Sequence, residues 1–306
     1  MKKQLITTLM FAGVALPAFA EPTLYGKANV SIHNADEGDA SATEVVSNAS
    51  RIGLKGTYDV DGGLQAIYQA EFEVQFDDGD KSGQTFSQRN IFVGLKGNFG
   101  TVKAGNFDTP LKVAQKKVDL FSDLKGDIKN VITDNDARAQ NIVSYQSPSV
   151  SGFNGSVAVI ASEADGVSNG VSASVTFEQD GLYFAAALDQ NLNDGGISED
   201  LDVFRLVAQY TIADIQLGAL YESSDPVAGD DKDGVFGSVK YTLDKIALKA
   251  QYGKSDIRSE GGDTLSIGAD YKISKPLKVF AYYTQHGADG DAIDEDYLGA
   301  GVELKF

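Results

Sequence analysis

Apolar and polar residues take turns, one for one, along segment after segment of this chain. The clearest case is 64–76. Leu64, Ala66, Tyr68, Ala70, Phe72, Val74 and Phe76 fall on one side of a two-residue period, and Gln65, Gln69, Glu71, Glu73 and Gln75 on the other. That period belongs to an extended strand with one apolar and one polar face. Residues 23–33 repeat it, with Leu24, Ala28, Val30 and Ile32 opposite Tyr25, Lys27, Asn29, Ser31 and His33. The chain ends on it too, with Leu298, Ala300, Val302, Leu304 and Phe306 opposite Tyr297, Glu303 and Lys305. Alternation halves the apolar content of every such segment, so the mean hydropathy of −0.18 is no guide to whether the chain enters lipid.

The connections are just as regular. Short turn signals at Asp61-Gly62, Asn98-Phe99-Gly100, Gln179-Asp180-Gly181, Ala213-Asp214, Leu243-Asp244-Lys245 and Ser274-Lys275-Pro276 alternate with longer, mostly acidic loops. The long loops fall near 34–47, 77–85, 108–140, 162–170, 193–201, 223–234, 254–263 and 286–296. Eight long loops alternating with short turns imply sixteen strands of about ten residues, the length that crosses a bilayer at the usual tilt. A water-soluble sheet of this size would need its apolar face covered, and no helical segments exist to cover it. In lipid the apolar face points outward, the polar face lines a wet interior, and closure leaves no unpaired edge. The expected fold is therefore all-β, a 16-stranded antiparallel transmembrane β-barrel formed as one domain over 21–306. Tyr and Phe recurring near strand ends would supply the interfacial aromatic belts.

Residues 1–20 read as a secretory signal peptide. Lys2 and Lys3 give the charged start, 5–16 the apolar middle, and Ala18-Phe19-Ala20 a small-residue cleavage site. The chain has no Cys, so an exported protein of this kind relies on burial and closed hydrogen bonding rather than disulfides. Its formal net charge of −18 argues against a nucleic-acid partner, which needs clustered Lys and Arg. His33 and His286 are far apart in sequence, and with no Cys they offer no metal site. Residues 189–200 begin like a calcium loop but carry Asp194 where glycine is required and Asp200 where glutamate is. No nucleophile elbow, phosphate loop or zincin motif is present, so neither a catalytic site nor a cofactor is expected.

One stretch breaks the pattern. Residues 108–140 show no strand alternation, yet Leu111, Val113, Leu120, Phe121, Leu124, Ile128 and Val131 make them too apolar for a solvated tail. Loops this long are usually functional, and the expectation is a segment folded into the lumen whose acidic face narrows the channel. In 86–97, Arg89 and Phe92 imply opposite faces while Ile91 and Val93 blur the period. A subunit contact and packing by the long loop both fit that strand.

The chain resembles the general diffusion porins of Gram-negative outer membranes. The resemblance covers the mature chain and rests on Leu24-Tyr25-Gly26-Lys27, on Ser50-Arg51-Ile52-Gly53-Leu54-Lys55-Gly56 with its echo Gly94-Leu95-Lys96-Gly97, on the long third loop, and on the closing Gly301-Val302-Glu303-Leu304-Lys305-Phe306. It implies a multi-pass protein of the outer membrane, usually a homotrimer, set among lipid and lipopolysaccharide. Recognition by the barrel assembly machinery would run through the terminal Phe306. It also implies a pore constriction in which a basic wall of Lys27, Arg51, Arg89 and Arg138 faces loop carboxylates at Asp119, Asp123 and Asp127. Strand parity independently puts Lys27 and Arg51 on the polar face. Rows of opposite charge orient polar solutes and bias ion selectivity, so passive diffusion of small hydrophilic solutes and ions is the expected function. A channel specific for sugars or anions is the alternative, and would use an aromatic ladder that only Tyr25, Tyr183, Tyr282 and Tyr297 suggest.

Overall fold

A computed structural model of the chain describes residues 22–38, 40–78, 86–133, 135–193, 196–226, 229–291 and 293–306. The signal peptide expected at 1–20 lies outside them, as does Asp194 of the calcium-like stretch.

The first strands are β1 (Thr23–Glu37), β2 (Ala40–Ser47), β3 (Arg51–Val60), β4 (Leu64–Val74), β5 (Phe86–Gly97) and β6 (Gly100–Asp108). A five-residue helix α1 (Pro110–Ala114) follows within the long third connection, and then β7 (Arg138–Gln146), β8 (Phe153–Ile160), β9 (Gly170–Gln179) and β10 (Leu182–Asn193). The remainder are β11 (Gly196–Ile212), β12 (Ile215–Asp225), β13 (Lys232–Leu243), β14 (Ile246–Ser255), β15 (Gly262–Lys272), β16 (Leu277–Gly287) and β17 (Asp294–Lys305). β1 pairs antiparallel with both β2 and β3, from β3 onward each strand pairs antiparallel with the next, and β1 also pairs with β17 from Lys27↔Lys305 to Glu37↔Glu295. Since β2 and β3 are two halves of one strand along β1, the sheet is a closed barrel of sixteen.

Closure is completed by the last residue. Gly26 donates its N–H to the Phe306 carbonyl at 2.9 Å, and Phe306 donates back to Gly26 at 3.1 Å. The Phe306 ring lies over Gly26 where any Cβ would collide with it, so this close approach requires glycine.

The alternation sorts residues as expected. Leu24, Val93 and Leu298 are more than 60% exposed, while Ser31, Thr264, Ser266 and Thr284 on the other face are at most 1% exposed. An exterior of this kind is stable in hydrocarbon, where each large apolar side chain avoids on the order of 2 kcal/mol of contact with water. At the turn after β9, Asp180 (φ 51°) and Gly181 (φ 81°) are both left-handed, which matches the right-handed strand twist in a two-residue hairpin.

Three features differ from the sequence reading. The expected loop at 193–201 is largely strand, since β10 runs to Asn193 and β11 starts at Gly196, which pair with each other. The expected loop at 34–47 is mostly a ladder, because β1 and β2 continue to Glu37 and Ala40. Residues 147–152 form a further short connection with no Asn-Gly or Asp-Gly signal, closed instead by the Val150–Phe153 backbone pair and by Gly155 N–H donating to Ser147 Oγ.

Candidate functional site

The 108–140 segment is held by side chains from the polar faces of many strands. Thr109 caps α1 by accepting from the Lys112 N–H, and the free N–H of Leu111 reaches Ser172 Oγ at 3.2 Å. Tyr183, Gln216 and Ser238 donate to the carbonyls of Ala114, Lys117 and Val118 at 2.7, 3.0 and 2.6 Å. Gln251 accepts from the Leu120 N–H and donates to the Gly126 carbonyl. Ser255 donates to Ile132 at 2.8 Å, and the Lys125 carbonyl accepts from the His286 ring at 2.9 Å. Backbone groups that secondary structure leaves unpaired thus find partners on β9, β10, β12, β13, β14 and β16. Beneath them Leu111, Val118, Ile128, Val131 and Ile132 are at most 1% exposed.

The three aspartates of the segment have different roles. Asp123, left-handed at φ 68°, places Oδ2 2.7 Å from Lys27 Nζ and 3.6 Å from Arg51 Nη2. Burial alone would raise its carboxyl, but Lys27 and Arg51 hold it below the ordinary aspartate range. Asp119 instead accepts from the N–H groups of Phe121 and Ile128 at 2.9 and 3.2 Å. Asp127 accepts from Asp123 and Lys129 N–H groups at 2.9 and 3.1 Å. Burial pushes both carboxyls up, with the charge of Asp127 adding to the rise at Asp119 and that of Asp136 adding at Asp127. The structure therefore opposes one aspartate, Asp123, to the wall bases, and uses Asp119 and Asp127 to fold the segment.

Each wall arginine sits beside a β-bulge. Between Val30↔Ser47 and Lys27↔Arg51 the second strand has one extra residue, with Ala49 at φ 46°. Ser50 plugs that break by accepting from Asn29 N–H at 2.9 Å and donating to Asn29 O at 3.0 Å. A second bulge lies at Arg89-Asn90, between Ala70↔Ile91 and Phe72↔Gln88, and shifts the face parity there. This is why the period blurs along 86–97. A third, at Gln140-Asn141 with Asn141 at φ 54°, follows Arg138. Bulges bend a strand and re-aim its side chains.

Arg89 places Nε 3.0 Å from Glu71 and Nη1 2.6 Å from Glu73. Arg138 Nη2 is 2.9 Å from Asp108, which Lys112 also approaches at 3.4 Å. Lys112 pairs with Asp136 as well, at 3.2 Å. A polar cavity of about 430 Å³ is bounded by five bases (Arg51, Arg89, Lys112, Lys129 and Arg138) and five carboxylates (Glu73, Asp108, Asp123, Asp127 and Asp136). Its formal charges balance. Sequence parity pointed to Glu71 and Glu73, but nothing local marked Asp108, Lys112 or Asp136, whose ion pairs depend on how the segment folds back.

One cluster went unforeseen. Arg205 and Glu222, both fully buried, pair with each other. Arg205 also donates to Gln115 Oε1 at 3.0 Å and the Asn135 carbonyl at 2.8 Å. Asn135 in turn donates to Asp189 at 2.9 Å. Both ends of the segment are thereby tied to β10, β11 and β12. The tyrosines considered for an aromatic ladder are committed elsewhere: Tyr183 to Ala114, Tyr25 to Glu71 at 2.9 Å, and Tyr282 and Tyr297 to ring contacts and hydrogen bonds around His33. Among the described residues no His, Cys, Asp and Glu group could hold a metal ion.

A closed sixteen-strand barrel, apolar outside and ringed within by paired charges, defines an outer-membrane channel. The chain belongs to the Gram-negative porin family, whose model matches residues 7–291. It is 33% identical to outer membrane porin protein 32 of Delftia acidovorans over 92% of this chain and 88% of that protein. Its fold is like that of the anion-selective porin from Comamonas acidovorans, with TM-score 0.78, 21% identity, and 94% of this chain and all of that one covered. It is also like a trimer form of OmpT from Vibrio cholerae, with TM-score 0.70, 19% identity, and 94% and 100% covered. The protein is thus a Gram-negative outer-membrane porin, a water-filled channel for passive diffusion of small hydrophilic solutes and ions.

Proposed function

We propose that the 108–140 segment lies within the lumen and forms its constriction, with the bases of β1, β3, β5 and β7 on one side and Asp123 on the other. The observation that carries this reading is the Lys27–Asp123 contact at 2.7 Å, which joins residues 96 apart in sequence across the polar faces. Opposed charges in a wet passage set a transverse field that favours dipolar solutes over apolar ones, and their sum biases ion selectivity. The charges there are paired with one another, so the passage tolerates them. Arg89 is compensated by Glu71 and Glu73, so its role is to position those carboxylates as well as to contribute charge.

The assembly is a homotrimer, a reading supported by the trimer form described for the structurally similar OmpT. Phe306, 60% exposed at the closing seam, is the group that the barrel assembly machinery would read. Lipid and lipopolysaccharide surround the apolar exterior, and cleavage after Ala20 releases the mature chain.

Single-channel recordings in planar bilayers across a KCl gradient test this reading. Large ohmic steps in groups of three are expected, with reversal potentials that move when Arg51 or Asp123 is neutralised. Unchanged reversal potentials in both variants would remove these residues from the pore.

A further inference from the structure

Beyond the charged passage, a second cavity of about 290 Å³ lies on the other side of α1, between the segment and the inner faces of β6 to β10. Lys103 reaches it from β6, four residues from the short turn before Gly100. Its ammonium lies 4.9 Å from the Phe92 ring centroid and 4.3 Å from that of Phe107. Those two rings meet edge to face at 5.8 Å. Among the described residues Lys103 makes no hydrogen bond and no ion pair.

The rest of the lining completes a receptor. Ser144, Ser156, Ser174 and Thr176 present hydroxyls to the cavity from three neighbouring strands, and none has a hydrogen-bond partner among the described residues. Two carboxylates also border it, and both are already neutralised: Glu178 by Lys116, and Asp108 by Arg138 and Lys112. The positive charge of Lys103 is therefore the uncompensated one. Pro110 and Val113 of α1, and on β10 the Tyr183 ring with the Lys116 ammonium 4.4 Å from its centroid, give the apolar part of the lining. Val113 is 61% exposed, unusual for a large apolar side chain in a segment otherwise packed through its apolar residues.

We propose that this cavity is a binding site for a small carboxylate with an aromatic body. The carboxylate accepts from Lys103 and the serine and threonine hydroxyls, and the ring lies against Val113 and Tyr183. An ammonium that turns N–H groups toward two aromatic faces is held in place by them and keeps a further N–H for an anion, at little conformational cost. Charge-assisted donors of this kind are the stronger ones. A ligand of benzoate size, with few heavy atoms, is expected to bind with Kd on the order of 1 mM. Such a site beside the passage raises the local concentration of one solute class without closing the pore. It rests on the channel reading only for access to the lumen.

The test is saturation-transfer NMR of benzoate, with benzyl alcohol as its uncharged counterpart, on the folded protein in detergent. Saturable benzoate binding is expected, weakened at least about tenfold in Lys103→Gln and in Val113→Asp, with benzyl alcohol bound correspondingly more weakly by the native chain. Val113 is exposed, so its variant is expected to fold even if the lysine variant does not. Arg51→Ala should retain benzoate binding whatever it does to reversal potentials, so this site and the constriction fail separately. Equal binding of the two ligands, unaltered benzoate affinity in the variants, or no saturable signal would overturn the proposal.

Discussion

Asp119 and Asp123 are four residues apart, yet their carboxylates point in opposite senses: Asp119 turns back onto the Phe121 and Ile128 amides, and Asp123 turns out to Lys27 and Arg51. Neutralising them should therefore separate two phenotypes. Asp123→Asn is expected to shift the reversal potential toward anion preference with a full-size, stable barrel. Asp119→Asn places an amide N–H against an amide donor, costs about 1–3 kcal/mol in segment stability, and shows as faster amide exchange across 119–132. Equal reversal-potential shifts in both would contradict the division.

The same contrast sets a pH dependence. Asp123 is held low, so its stabilising contribution is present above the ordinary aspartate range and lost as pH falls through its depressed value. Asp119 and Asp127 are raised, so the folded segment binds protons more readily than the open one. Their contribution is complete below the ordinary range and lost as pH rises through the raised values. Protection factors at Phe121 and Ile128, corrected for intrinsic exchange, should therefore decline across that rise and lose the dependence in Asp119→Asn.

Ser50 is fully buried and bonds both backbone groups of Asn29. Ser50→Ala leaves the Asn29 N–H without that partner, at a cost of about 1–3 kcal/mol. The urea midpoint should fall, and altered conductance would report that Arg51, next in the chain, has lost its aim. An unchanged midpoint would mean that the bulge closes without the hydroxyl.

Arg205 and Glu222 test how the segment is moored. Removing one partner, as in Glu222→Leu, strands a buried guanidinium and should cost roughly 3–5 kcal/mol, whereas Arg205→Met with Glu222→Leu should recover much of that loss. Thermal unfolding of the two variants decides it. A double variant no better than the single would show that the bonds from Arg205 to Gln115 and Asn135 matter more than the pair.

Strand count and closure were legible because a two-residue period carries its own parity from one turn to the next. Lys27 and Arg51 were named by the family resemblance, and parity independently put them on the polar face. Parity blurred along 86–97 where a bulge inserts one residue at Arg89-Asn90, and further bulges at Ala49 and Asn141 lie beside Arg51 and Arg138. A local pattern also cannot show which way an irregular segment folds. Asp119, Asp123 and Asp127 look equivalent in sequence, and only the backbone amides around each distinguish them. Arg205 and Glu222 fit an ordinary polar face, and their burial comes from Gln115 and Asn135, about 90 and 70 residues away in the chain.

The seam at Gly26 and Phe306 puts the two ends of the chain in register with each other. The first strand finds its closing partner only in β17, so a partly assembled wall keeps two unpaired borders until that pair forms. Once shut, the ring has no topological beginning. A version of the gene that fused 306 to 22 through a short linker and began instead within 223–234 should encode the same wall, with its seam moved to another strand pair.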